Sequence, residues 1–201
     1  KDNKGFIVHD GVEVGKEYDN AGDQTEVNGK LAYIATLGTK YFVVYDGKKY
    51  GKEYDKNEIL FVSNTSKEVG GKLVYEAYDI KAEKPLVVYD TEILGPTYDK
   101  VDYESLQIIN GKLTYIAFKE SKALVVQGNT EFKNGYTEIS KLIEVNGKIA
   151  YEAVKNGKSI IVYNEVEYGQ EFDGVGYPVD VNDKLAFYAR KGYKQFMMFE
   201  N

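Results

Sequence analysis

The chain has 201 residues, enough for one domain or two small ones with a substantial buried core. Nineteen Tyr and nine Phe against no Trp, with twenty Gly and three Pro, lean towards pleated sheet, where aromatic side chains pack well. A net charge of −6 argues against a nucleic-acid partner, and the absence of Cys excludes disulfides, thiolate zinc sites and a cysteine nucleophile.

In chain order, "FIVHDG" (6–11) reads as a strand entering an Asp-Gly turn, and "VEVGKEYD" (12–19) as the more polar strand after it. "VNGKLAYIA" (27–35) follows, with an Asn-Gly pair suited to a tight hairpin, and then "FVVYDG" (42–47). The first of these two recurs as "VGGKLVYEA" (69–77), "INGKLTYIA" (109–117), "VNGKIAYEA" (145–153) and "VNDKLAFYA" (181–189). The second recurs as "LVVYDT" (86–91), "ALVVQG" (123–128), "IIVYNE" (160–165) and "FMMFEN" (196–201), and it matches "FIVHDG" as well. The chain is therefore built on a unit of about 40 residues. Each unit reads as four short strands, of which "SLQII" (105–109) is a typical first. The second strands begin near residues 30, 72, 112, 148 and 184.

Second and third strands are nearly continuous apolar runs, a pattern that means both faces are covered. One four-stranded sheet cannot cover both of its own faces, whereas sheets stacked like blades can. The expected fold is all-β: a five-bladed β-propeller of four-stranded antiparallel blades, one domain over residues 1–201. The chain opens just before a third strand and closes with one, so "VEVGKEYD" is expected to complete the last blade. The ring would then be closed by N- and C-terminal strands, which removes exposed edges. One of 6–11 and 196–201 is redundant, so the chain is expected to be a monomer or to self-associate through the spare strand.

The repeat "NGKLAYIA" with "KYFVVYDGKKYGKEYD" resembles the TolB-like, or WD40-like, β-propeller repeats of bacterial proteins, whose units run "DGKxLAYVA…GKxxVVVDG". The likeness extends over all five units, although the "FSPDG" segment usual before the second strand is missing. It implies a binding or scaffold protein and favours a secreted or extracytoplasmic location.

No reaction is legible. A serine hydrolase needs a G-x-S-x-G elbow and a His base, but the elbow is absent. The one histidine, His9, stands where Tyr45, Tyr89 and Tyr163 stand in other units, as a structural substitute. "GKS" (157–159) lacks the upstream glycine of a phosphate loop and joins two strands. Asp19, Asn20, Asp23 and Glu26 crowd what reads as a loop, where turn chemistry outweighs calcium. No metal, cofactor or catalytic residue is expected. No helical membrane insertion is expected either, since no apolar run nears the roughly 20 residues needed.

The recurrent pairs Tyr18-Asp19, Tyr54-Asp55, Tyr98-Asp99 and Phe172-Asp173 would share one end of the blades; the third unit reads "NGYTEIS" (134–140) there instead. They are the candidate ligand-binding residues, for a sugar, a peptide or a protein, and equally suit a structural role of packed ring and turn-capping carboxylate. Breaks in the repeat are the other candidates: "SNTSKEVGG" (63–71), with a glycosylation acceptor at Asn64-Thr65-Ser66, "YDIKAEKP" (78–85) and "YESLQ" (103–107). The expectation is a non-catalytic binding or scaffold propeller. The alternative is a carbohydrate-active one, either a lectin or a glycoside hydrolase with paired carboxylates.

Overall fold

The computed structural model describes residues 5–61, 66–94 and 98–200, apart from the side chains of residues 133 and 134. These residues form strands and turns without a helix, and the chain divides into two compact units, Lys1–Tyr98 and Asp99–Asn201.

The first unit opens with a hairpin, β1 (Ile7–His9) and β2 (Val12–Val14). A four-stranded sheet follows in simple order: β3 (Asn20–Val27), β4 (Lys30–Leu37), β5 (Lys40–Tyr45) and β6 (Lys48–Asp55). The next sheet starts with two short strands, β7 (Ile59–Phe61) and β8 (Lys67–Val69), and continues through β9 (Lys72–Asp79), β10 (Lys84–Tyr89) and β11 (Glu92–Leu94). Phe61 pairs with Ala77 and Lys67 with Val74, so β7 and β8 are two halves of one interrupted first strand along β9.

The second unit holds three sheets. The first is β12 (Lys100–Ile109), β13 (Lys112–Lys119), β14 (Lys122–Gln127) and β15 (Thr130–Tyr136). The second is β16 (Glu138–Val145), β17 (Lys148–Lys155), β18 (Lys158–Tyr163) and β19 (Val166–Tyr168). The third has three strands, β20 (Gly174–Asp180), β21 (Leu185–Lys191) and β22 (Lys194–Glu200). Residues 12–14, expected as its fourth strand, are instead hydrogen-bonded to β1, their neighbour across the Asp10-Gly11 turn. A two-residue hairpin closes at once and needs no distant partner, which favours this local pairing.

Every ladder among the described residues is antiparallel, and apart from β7 with β9 each joins neighbours in sequence. The turns explain why. Asn28-Gly29, Asn110-Gly111 and Asn146-Gly147 have positive φ at both residues (51° and 72°, 47° and 70°, 47° and 71°), as does Asp46-Gly47 (50° and 71°). That is the backbone whose twist matches the strands it joins, and Asn, Asp and Gly adopt it at least cost. Each first strand also departs from regular pairing near its middle, between Gly22 and Thr25, Asp102 and Gln107, Ser140 and Ile143, and Val175 and Pro178. The segment Asp19–Glu26, read from sequence as a loop, is accordingly strand β3 with a bulge at which Asp23 takes φ +55°.

The continuous apolar runs are accounted for inside each unit. In β4, Ala32 and Ile34 join Leu73, Tyr75 and Leu86 of the next sheet, while Tyr33 and Ala35 join Ile7 and Tyr18 on the hairpin side. In the β16–β19 sheet, Tyr151, Ala153 and Ile160 face Ile116 and Val125, while Ala150 and Ile161 face Leu185 and Phe187. Alternate side chains thus serve opposite layers, and each buried Val, Leu, Ile or Phe contributes roughly 1.5–3 kcal/mol of transfer free energy. Apolar exposure concentrates on the hairpin, at Val8 and Val12 (both 61 %), and on the three-stranded sheet, at Met197 and Phe199 (both 57 %).

Candidate functional site

The recurrent aromatic-Asp pairs form a connector between sheets. Gly15 and Gly169 lie at φ +82° and +88°, and their carbonyls accept bonds from the amides of Tyr18 and Phe172 (both 3.1 Å). The turn delivers the Asp to the next sheet, where its amide donates to the second strand: Asp19 to Thr36, Asp99 to Phe118 and Asp173 to Arg190 (each 2.8 Å). The carboxylate then accepts from the first amide of the hairpin ahead: Gly38 to Asp19 (2.7 Å), Glu120 to Asp99 (2.7 Å) and Gly192 to Asp173 (2.6 Å). Asp55 differs. Three residues separate it from β7, and it accepts from its own turn at Asn57 (3.0 Å) and from Lys40 (3.2 Å).

The rings of Tyr18, Tyr54 and Tyr98 are buried and Phe172 is half-buried. Tyr18 meets Phe42 edge-on at 5.1 Å, and Tyr54 meets Phe61 at 5.5 Å. The three buried tyrosine rings offer no open face on which a sugar can stack, and Asp19, Asp99 and Asp173 cap hairpins. The unit that reads "NGYTEIS" keeps the device in altered form: Tyr136 is buried, and the Thr137 amide donates to the Val154 carbonyl (2.9 Å). Thr137 holds the Asp position but supplies no carboxylate.

The remaining sequence candidates separate. His9 ends β1 at the register of Tyr45, with Nδ1 3.6 Å from Asp10. Asn156-Gly157 is a hairpin turn and Lys158 opens β18. The Asp79 carboxylate caps Ala82 within residues 78–85 (2.7 Å), and residues 103–107 fall within the bulge of β12. Asn64 and Thr65 of the glycosylation acceptor lie outside the described residues. Among the described residues, no group of three or more His, Cys, Asp or Glu is placed to hold a metal ion.

The most informative sites are two grooves at equivalent places, each beside the turns that lead into second strands and between consecutive sheets of one unit. In the first unit, Tyr45 and Tyr50 fill the groove, edge to face at 5.6 Å. The Tyr50 hydroxyl donates to Asp90, and Lys72 pairs with the same carboxylate at 3.0 Å. The bond to Asp90, reinforced by burial, pushes the Tyr50 phenol up to about 12. Burial disfavours the charge on Asp90, but the bonds from Tyr50 and Lys72 outweigh it and hold the carboxyl below its ordinary value. The space left, bordered also by Val27, Gly71, Lys72 and Leu73, is 30 Å³.

In the second unit every one of those fillers is changed. Gln127 stands at the register of Tyr45, Phe132 at that of Tyr50, and Asn164 follows Tyr163 as Asp90 follows Tyr89. The groove there is a cavity of 260 Å³, bordered by Asn110, Gln127, Phe132, Lys148, Tyr151 and Asn164, with Ile149, Gly147 and Glu165 at its margin. Gln127 Nε2 is fixed by the Ile109 carbonyl (3.1 Å) and Thr114 Oγ1 (3.2 Å). Lys148 lies over the Tyr163 ring at 5.7 Å, as Lys30 lies over Tyr45 at 5.9 Å and Lys72 over Tyr89 at 5.4 Å. Lys30 and Lys72 also hold the carboxylates of Asp46 and Asp90, whereas Lys148 faces an Asn and has no ion pair among the described residues.

No protein-family model and no curated protein matches the chain.

The groove residues are absent from the sequence-based candidates. Their signal was present in the tails: "ALVVQG" replaces the Tyr-Asp of "FVVYDG" by Gln127-Gly128, and "IIVYNE" keeps the Tyr and replaces the Asp by Asn164. Its meaning depends on which tails face each other across a groove, and that is a fact of the stacked sheets.

Proposed function

We propose that the chain is a non-catalytic binding or scaffold module, its sheets the blades of a five-bladed β-propeller of the kind seen in TolB-like and WD40-like bacterial repeats. The observation that supports a binding role is the contrast between the two grooves. Identical architecture is sealed by Tyr45, Tyr50 and Asp90 in one place and opened to 260 Å³ by Gln127, Phe132 and Asn164 in the other. Opening a groove forfeits packing that the same framework achieves elsewhere, so a gain outside stability is its natural explanation. The test is a screen of sugars and short peptides against the intact chain by NMR, with a parallel assay of chromogenic glycosides. Binding without turnover supports the reading, and glycoside turnover rejects it.

A second reading concerns assembly, with the spare strands of the termini joining one copy to another. Its support is the exposure of Val8 and Val12 on the β1–β2 hairpin and of Met197 and Phe199 on the three-stranded sheet. Exposed apolar sheet of this kind invites pairing with a further strand or layer.

A further inference from the structure

We infer that the open groove of the second unit is a binding site for a single pyranose ring. This rests on the binding-module reading and gives it a ligand class. At 260 Å³ the cavity falls just short of the roughly 300–1,000 Å³ typical of sites for drug-sized ligands, so the occupant is small. The lining chemistry narrows it further. Three carboxamides, Asn110, Gln127 and Asn164, border the space, and each carries both donors and an acceptor. Sugar hydroxyls likewise donate and accept, so a ring of hydroxyls is matched by a ring of amides better than by carboxylates alone.

Gln127 is the best placed of the three. Its Nε2 is committed to Ile109 and Thr114, which locks the amide plane, while Oε1 accepts no bond among the described residues. Phe132, half-buried where the sealed groove carries Tyr50, presents an aromatic ring without a hydroxyl. The negative face of such a ring attracts the C–H face of a pyranose. Lys148 adds a donor that no carboxylate occupies, and Glu165 at the margin adds an acceptor. One cation beside one carboxylate does not make a site for a multiply charged anion, and the amides make a poor site for a purely apolar molecule.

The sealed groove supplies the control. Replacing Gln127→Tyr, Phe132→Tyr and Asn164→Asp together gives the second unit the composition that fills the first, in the same strand register. That variant should fold, because the first unit shows the combination packed.

The experiment titrates glucose, galactose, mannose, N-acetylglucosamine and glucuronate, with adenosine for comparison, into the intact chain while amide resonances are recorded. At least one sugar is expected to shift the resonances of Gln127, Phe132 and Asn164 with saturation. The triple replacement should abolish the response, and Lys148→Ala should weaken it by about tenfold, the loss of one good hydrogen bond. No response to any sugar, a response undiminished in the folded triple variant, or preference for adenosine would overturn the assignment. Failure of the two readings is distinguishable. A peptide that occupies these same residues when no sugar does removes the ligand class and leaves a binding module. Turnover of chromogenic glycosides removes the non-catalytic reading, whatever the groove holds.

Discussion

Asp19, Asp99 and Asp173 show how one side chain can tie consecutive elements together. Each accepts a short bond from the hairpin ahead of it, whereas Asp55 accepts from its own turn and Thr137 supplies no carboxylate. Asp173→Ala should destabilise the protein by about 1 kcal/mol, the usual net worth of such a bond. Thr137→Asp should raise stability by about 0.5–1 kcal/mol by supplying a carboxylate to the Asn156 turn. Urea midpoints at an unchanged slope would measure both. Tyr50 and Asp90 carry a pH dependence of their own. The Asp90 carboxyl is depressed in the folded state, so its contribution is complete above the unfolded value near ~3.9 and is lost as pH falls through the folded value. Tyr50→Phe with Asp90→Asn should therefore flatten the loss of stability between neutral pH and pH values below ~3.9, read as thermal midpoints across that range.

The elements were legible wherever local chemistry decides the backbone. Asn28-Gly29, Asp46-Gly47 and their counterparts fix hairpins through positive φ, and the apolar runs after Lys30, Lys72, Lys112 and Lys148 become strands buried on both faces. Two things were not legible. The bulge in β3 reads as a loop because Asn, Gly and Asp serve both purposes, and only the ladder to β4 distinguishes them. Likewise the pairs Tyr18-Asp19 and Phe172-Asp173 read as ligand-facing or structural alike, because the burial that separates Tyr18 from the half-buried Phe172 is a fact of the packed sheets. Gly169 gives a test at this scale. An added Cβ there would lie 2.6 Å from Val175 Cγ1 at φ +88°, whereas at Gly157, φ +75°, it would meet nothing within 4 Å. Gly157→Ala should cost about 1 kcal/mol for its backbone alone. Gly169→Ala should cost about 2–3 kcal/mol, since a steric shift is added. Equal losses in chemical denaturation would show that the connector yields freely.

For the whole molecule, the question is what covers its exposed sheet. Assembly through the spare strands predicts light-scattering masses that climb with concentration above the 22.7 kDa of one chain. Phe199→Glu, which places a charge on the exposed sheet, should return the mass to a single chain without changing the thermal midpoint. A constant 22.7 kDa at every concentration would leave the spare strands without that role.

The connectors also have a direction. Asp19 precedes the hairpin it caps by about half a repeat, and Asp99 and Asp173 stand in the same relation to theirs. During synthesis the carboxylate leaves the ribosome before the turn that needs it. Each new hairpin then closes against an acceptor already waiting upstream, and the protein can be assembled in the order in which it is translated.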